Sequence, residues 1–268
     1  MLQQTVAQAR HVFNAFWPRY EQLPAHHSPG APRGLTTGAE LQAQLFFKGE
    51  PGPTITSLVQ ESLYVPRLTG YPRWFWAVGR DAGGSRNGHL FVMVQAGPSA
   101  PRKTAMALYD LNSSARMLHY VAIAITKGAQ GYAEAVPLND STLDVPPSGM
   151  AATYASYLDG STRSVGGLSR PARTRPPTSP STRRFPRRGQ YGWRDTDHQA
   201  PAQLPVYALR LSTQGALVIF STYDTTAWMA ASSSAALPPS PRGWRLATSH
   251  PRSWCRAWDS LRPRPACV

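Results

Sequence analysis

Residues 64–95, YVPRLTGYPRWFWAVGRDAGGSRNGHLFVMVQ, hold two apolar runs on either side of GGSRNG, a stretch of turn-forming residues. In an extended chain successive side chains point to opposite faces. Trp74, Trp76 and Val78 therefore share one face of the first run, and Leu90, Val92 and Val94 answer them on the second. The spacing predicts a β-hairpin turning at the Gly/Asn cluster. Gly83, Gly84, Ser85 and Gly88 read as that turn rather than as a phosphate loop, because no helix and no Gly-Lys-Ser/Thr follows them.

Outward from the hairpin, Leu2, Val6, Ala9, Phe13, Phe16 and Tyr20 recur at steps of three and four, which predicts an amphipathic helix up to about Pro18. TGAELQAQLFF (37–47) predicts a second, short helix capped at Thr36 or Thr37, followed by the loop KGEPGPT. TAMALYDL (104–111), MLHYVAIAITKG (117–128) and GYAEAVPL (131–138) read as further strands, although the second also fits a buried helix. MAATYASYLDG (150–160) predicts a helix with Tyr154, Tyr157 and Leu158 on one face. LPVYALRLSTQGALVIFSTYDTTAW (204–228) predicts a second hairpin, with Tyr207, Leu209 and Leu211 before a TQG turn and Leu217 and Ile219 after it.

The order helix, loop, hairpin thus occurs twice. It predicts an α+β protein of two helix-on-antiparallel-sheet units. The first covers 1–145. The second covers 146–236 and is incomplete, interrupted by the Arg/Pro-rich segment 168–190. Residues 237–268 form an unstructured Arg/Pro/Trp tail.

The charge is unevenly placed. Residues 1–160 contain 12 Lys+Arg and 10 Asp+Glu, whereas 161–268 contain 16 and 4, and those sixteen cations are all Arg. LSRPARTRPPTSPSTRRFPRRGQ (168–190) has seven Arg, five Pro and no acid. Three readings compete for it. A basic arm would bind nucleic acid through Arg183, Arg184, Arg187 and Arg188 and release counterions. A Pro-rich linker would be a partly extended spacer, but would part the helix at 150–160 from the hairpin it should cover. The third reading is translation out of frame, since off-frame codons of GC-rich DNA are mostly Arg, Pro, Ser, Ala and Gly. The tail shares that bias.

Cys255 and Cys267 set no disulfide framework and no metal-ligand spacing. The first residues lack a basic n-region and an apolar core, so no export signal is read, and no apolar run is long enough to span a membrane. Location is left open.

At RHVFNAFWPRYEQ, YVPRLTGYPRWFWAV, GHLFVMVQ, GYAEAVPL, MAATYASYLDG and LPVYALRLSTQGALVIFS the chain resembles an actinobacterial domain of unknown function found in lipoproteins and membrane-anchored secreted proteins. The resemblance covers about residues 5–160 and 190–235. It implies paired cone-shaped units of the NTF2 or cystatin type and an extracytoplasmic setting. It carries over no catalytic residues.

The candidate ligand-binding cluster is Arg67, Arg73, Trp74 and Trp76, because tryptophans on the concave face of a curved sheet beside cations can hold a ligand. The competing reading places both tryptophans in the core under the first helix. His26 and His27 are adjacent, unlike a metal pair on one helix face. His119 reads as a strand residue, and Asp110, Asp140, Asp144 and Asp159 as turn or cap residues. No nucleophile stands in a recognisable elbow. No cofactor, metal site or catalytic group is expected. The expected function is a non-catalytic binding or scaffold domain related to cell-envelope lipoprotein parts. The alternatives are a small-ligand binder or enzyme using the first unit's cone, and nucleic-acid binding through the Arg-rich arm.

Overall fold

The structure is a computed structural model that describes residues 4–23, 31–46, 58–82, 88–108, 125–158, 164–165, 168–169, 193–212, 215–230 and 253–255. The first helix, α1 (Val6–Glu21), begins with a capping box. The Gln8 backbone N–H donates to Thr5 Oγ1 at 3.1 Å and the Thr5 N–H donates to Gln8 Oε1 at 2.9 Å, satisfying donors that the first turn leaves open. The helix does not stop at Pro18 as expected but continues through it to Glu21. Burial of Trp17 and Tyr20 on the sheet holds the last turn despite the backbone hydrogen bond that proline lacks.

After α2 (Ala31–Leu35) and α3 (Gly38–Phe46), four strands follow: β1 (Leu58–Tyr64), β2 (Arg73–Asp81), β3 (Gly88–Gln95) and β4 (Arg102–Leu108). They form an antiparallel meander in that order. The hairpin read from sequence is β2–β3, with Trp74 opposite Val94, Trp76 opposite Val92 and Val78 opposite Leu90.

Both faces of this sheet are buried. On one, Phe75, Ala77, Phe91 and Met93 pack with Leu63 and Ala107 beneath Ala9, Phe13, Phe16, Trp17 and Tyr20 of α1. Phe91 is the centre of an aromatic group, with ring centroids 5.4 Å from Trp17 and 5.8 Å from both Phe13 and Tyr20. The other face carries Tyr64, Trp76, Val78, Leu90, Val92 and Met106. Trp74 and Trp76 are on this second face and so do not lie under the helix.

The second face is covered by the other hairpin, β8 (Tyr207–Arg210) and β9 (Ala216–Ile219), which supplies Tyr207, Leu209 and Ile219 to the same core. Residues 125–136 join the two sheets by hydrogen bonds. The Ala133 N–H donates to Val65 O, that of Arg210 to Glu134 O, and that of Val136 to Ala208 O, at 2.9–3.0 Å. The result is a curled half-barrel whose concave interior is the Trp76 face. The core therefore crosses the boundary expected near residue 145. Of the strands expected at 117–128 and 131–138, isolated bridges at Ile125, Lys127, Ala133 and Ala135 are present, and residues 109–124 lie outside the described residues.

The helix expected at 150–160 is α4 (Met150–Leu158), entered through a single 3-10 turn at Pro147–Gly149. It packs beside β7 (Trp193–Pro201), and the Tyr154 ring meets Phe220 edge-on at 5.5 Å. Two short strands, β5 (Ser164–Val165) and β6 (Leu168–Ser169), pair with each other. β7 pairs antiparallel with β10 (Thr222–Ala230) over nine residue pairs. The tail expected to be unstructured lies outside the described residues except for β11 (Ser253–Cys255), which pairs with Tyr223–Thr225 of β10. Apart from Leu168–Ser169, segment 168–190 also lies outside them. The α+β class expected from the sequence holds.

Candidate functional site

Strand alternation divides the residues that sequence placed together. Trp74 and Trp76 point into the half-barrel, with ring centroids 6.1 Å apart, and Trp74 meets Tyr207 edge-on at 5.4 Å. Trp76 is fully buried, and its indole Nε1 has no hydrogen-bond partner among the described residues. An unpaired N–H in such surroundings is costly, because the hydrogen bonds it made to water are not replaced. Burial also pushes the Tyr207 hydroxyl well above the ordinary tyrosine range. The concave interior thus presents aromatic faces and one unanswered donor.

Arg67 is elsewhere, in the exposed link between β1 and β2. Its guanidinium lies 4.6 Å from the Tyr132 ring centroid and donates to Gln130 Oε1. Arg73 alternates onto the helix-covered face, at the end of the sheet. Its guanidinium lies 4.6 Å from the Tyr71 ring centroid, and its Nε is buried without a partner among the described residues. Beside it stands Arg102 of β4, whose Nη1 donates to Gln4 Oε1 at 2.9 Å and whose guanidinium lies 5.9 Å from the Phe75 ring centroid.

Sequence reading missed three members of these groups: Tyr207, Arg102 and Gln4. Tyr207 was visible as a core residue of the second hairpin. Nothing in a linear reading brings Gln4 to Arg102, 98 positions away.

The carboxylates with described partners are tied into the fold. Glu40 is 2% exposed, accepts from Tyr20 Oη at 2.6 Å and Gln44 Nε2 at 2.8 Å, and joins α1 to α3. Arg210 of β8 bridges Asp140 at 2.5 Å and Glu134 at 3.4 Å. Asp140 also accepts from the backbone and side chain of Thr142, at 2.9 and 2.6 Å. These hydrogen bonds, those from Thr142 and Arg210 foremost, lower its pKa to about 2.

Among the described residues no group of three or more His, Cys, Asp or Glu is placed to hold a metal ion. Among them too, no helix is long and apolar enough to cross a membrane. His26, His27, His119, Asp110, Asp159 and the arm residues Arg183, Arg184, Arg187 and Arg188 lie outside the described residues.

Together these features define an α+β domain built on a curled antiparallel half-barrel, with an aromatic interior on one side of the sheet and an arginine pair at the end of the other. The chain belongs to the family described as a domain of unknown function, DUF8094, whose model matches residues 32–256. It is also similar to an uncharacterized lipoprotein of Streptomyces coelicolor, 28% identical over 149 residues, which are 54% of this chain and 43% of the relative. The chain thus matches less than half of that relative's length. No solved structure matches the chain.

Proposed function

We propose that this chain is an extracytoplasmic binding or scaffold domain of the cell envelope that performs no catalysis. The observation that carries this reading is the use of Glu40, Glu134 and Asp140 as fastenings between elements: each is occupied by a partner that holds helices or strands together. Similarity to a lipoprotein supports the envelope setting. Two measurements test the reading. Intact native cells are treated with protease and then fractionated; cleavage, with the protein in the envelope fraction, is expected, and full protection in a cytoplasmic fraction overturns the location. Envelope extract is then incubated with folded or heat-denatured protein, and a new product formed by the folded protein alone overturns the non-catalytic part.

In this reading the two halves are related units of the NTF2 or cystatin type, the second an incomplete copy translated out of frame over 168–190 and after 237. The pairing is supported by chain order alone, a helix ahead of a hairpin in each half: α1 before β2–β3 and α4 before β8–β9. Reading the coding DNA through codons 160–268 tests it. A frame that restores alternating strand sequence supports the copy, and the lack of one in all three frames overturns it.

A second reading, a small ligand held in the half-barrel, is favoured by the unanswered Trp76 Nε1. A carbonyl or hydroxyl oxygen would answer it beside the Trp74 and Tyr207 rings. Titration of tryptophan fluorescence with acyl amides and acyl alcohols tests this, with a saturable change expected in the wild type and none in Trp74→Ala. Equal responses from the two proteins sink it.

A further inference from the structure

The arginine pair is separate from the half-barrel interior and, among the described residues, has no answering charge. Arg73 is opposite Gln95 on β3, and Gln95 is opposite Arg102 on β4, so the three positions stand in one row across the end of the sheet. Two strand spacings, about 9.6 Å, separate the arginine backbones, within reach of two long side chains leaning together. Gln95 Nε2 is committed to the β3–β4 turn, donating to Pro98 O and Ala100 O, each at 3.2 Å. Among the described residues neither arginine has a carboxylate partner. Burial, and the like charge of Arg73, lower the Arg102 pKa from its ordinary value.

Two donors at this place are unanswered. Among the described residues Arg73 Nε is buried without a partner, and so is Nε2 of Gln4, a residue only 7% exposed. Because Gln4 Oε1 accepts from Arg102, its amide is fixed at the arginine pair and its Nε2 lies on the same small planar group. Gln4 immediately precedes the Thr5 cap of α1, a helix of 16 residues with no acid in its first turn. The positive end of the helix dipole therefore adds to the two guanidinium charges. The Tyr71 and Phe75 rings give the guanidinium groups apolar surfaces to lie against.

We propose that Arg73, Arg102 and Gln4 form a binding site for a phosphate-type oxyanion at the N-terminal end of α1. Two positive charges match the one or two negative charges of a phosphate diester or monoester, and the guanidinium fork suits its oxygens. The same chemistry is offered by a lipid head group and by a soluble phosphate ester.

The test uses the full chain, with inorganic phosphate as probe, followed by calorimetry and by thermal unfolding in phosphate-free and phosphate buffers. Phosphate is expected to bind saturably and raise Tm. Arg102→Gln and Arg73→Gln are each expected to weaken binding by at least about tenfold. Arg102→Lys, which keeps the charge without the fork, should fall between. Arg19→Gln removes the same charge from the exposed far end of α1 and should leave binding unchanged. In phosphate-free buffer Arg73→Gln should melt no lower than the wild type, since it removes an unpaired charge; a lower Tm there marks a structural role and overturns the proposal. Equal weakening by Arg19→Gln, or none by either site variant, overturns it as well. Vesicles of phosphatidylcholine with and without phosphatidylglycerol distinguish the sources. Phosphate-competed binding to the anionic vesicles assigns a lipid head group, and phosphate binding without vesicle binding assigns a soluble ester.

Discussion

Arg210 of β8 donates to Asp140 Oδ2 at 2.5 Å, tying the second hairpin to the loop that follows the half-barrel's connecting segment. The hydrogen bonds that Asp140 accepts from Thr142 and from Arg210 make the stability of this connection depend on acid. The Asp140 pKa falls from 3.8 to about 2 in the folded protein, so its contribution is fully present above pH 3.8 and is lost as the pH falls toward 2. Urea unfolding of wild type and Asp140→Asn across this range should show the wild type more stable at pH 5 and the two converging by pH 2. A constant difference at every pH would show that the aspartate charge is not responsible.

Trp76 combines a large buried volume with an unanswered donor. Trp76→Ala should cost about 3–5 kcal/mol through the cavity it leaves. Trp76→Phe should cost clearly less, because losing the unpaired N–H returns part of a penalty of about 1–3 kcal/mol. Equal costs in denaturant titrations would mean that the indole N–H finds a partner in solution.

Phe91 touches three aromatic residues of α1, whereas Thr5 holds only the end of that helix. Phe91→Ala is expected to cost about 3–5 kcal/mol, and Thr5→Ala about 1 kcal/mol. Chemical denaturation ranks the two, and the reverse order would show that helix initiation outweighs its packing.

Gly79 stands where β1 crosses β2 closely. A Cβ there would lie 2.8 Å from Val59 O and 2.9 Å from Leu58 Cγ, just before the register shift between Gln60 and Ser62. Gly79→Ala should therefore push the β1 backbone aside and cost about 1–3 kcal/mol. Faster amide exchange at Val59 and Gln60 is the accompanying signature. Unchanged stability and exchange would mean that the edge strand yields freely.

The hairpin and its register partners were legible because the β2 and β3 residues alternate about a clear turn, and the helices because α1 and α4 carry apolar residues at helical spacing. Trp74, Trp76, Val78, Leu90, Val92 and Val94 do share a face, as their positions imply. Which face α1 would cover was not legible. Every residue from Trp74 to Val78 and from Leu90 to Val94 is apolar, and a sheet buried on both sides loses the polar alternation that would mark its outer face. The members of the candidate cluster part for the same reason, since Arg73 and Trp74 are neighbours in the chain but point to opposite sides of β2.

The sequence by itself determined the α+β class, the strand parities and the absence of acids from the Arg-rich segment, all of which follow from local spacing and composition. Only the tertiary structure decided that β8 and β9 close over the Trp76 face, that Gln4 meets Arg102, and that Arg73 and Arg102 share one row of the sheet. Those associations join residues far apart in the chain. They are selected by burial and by the pairing of backbone groups across the half-barrel, which no local period records.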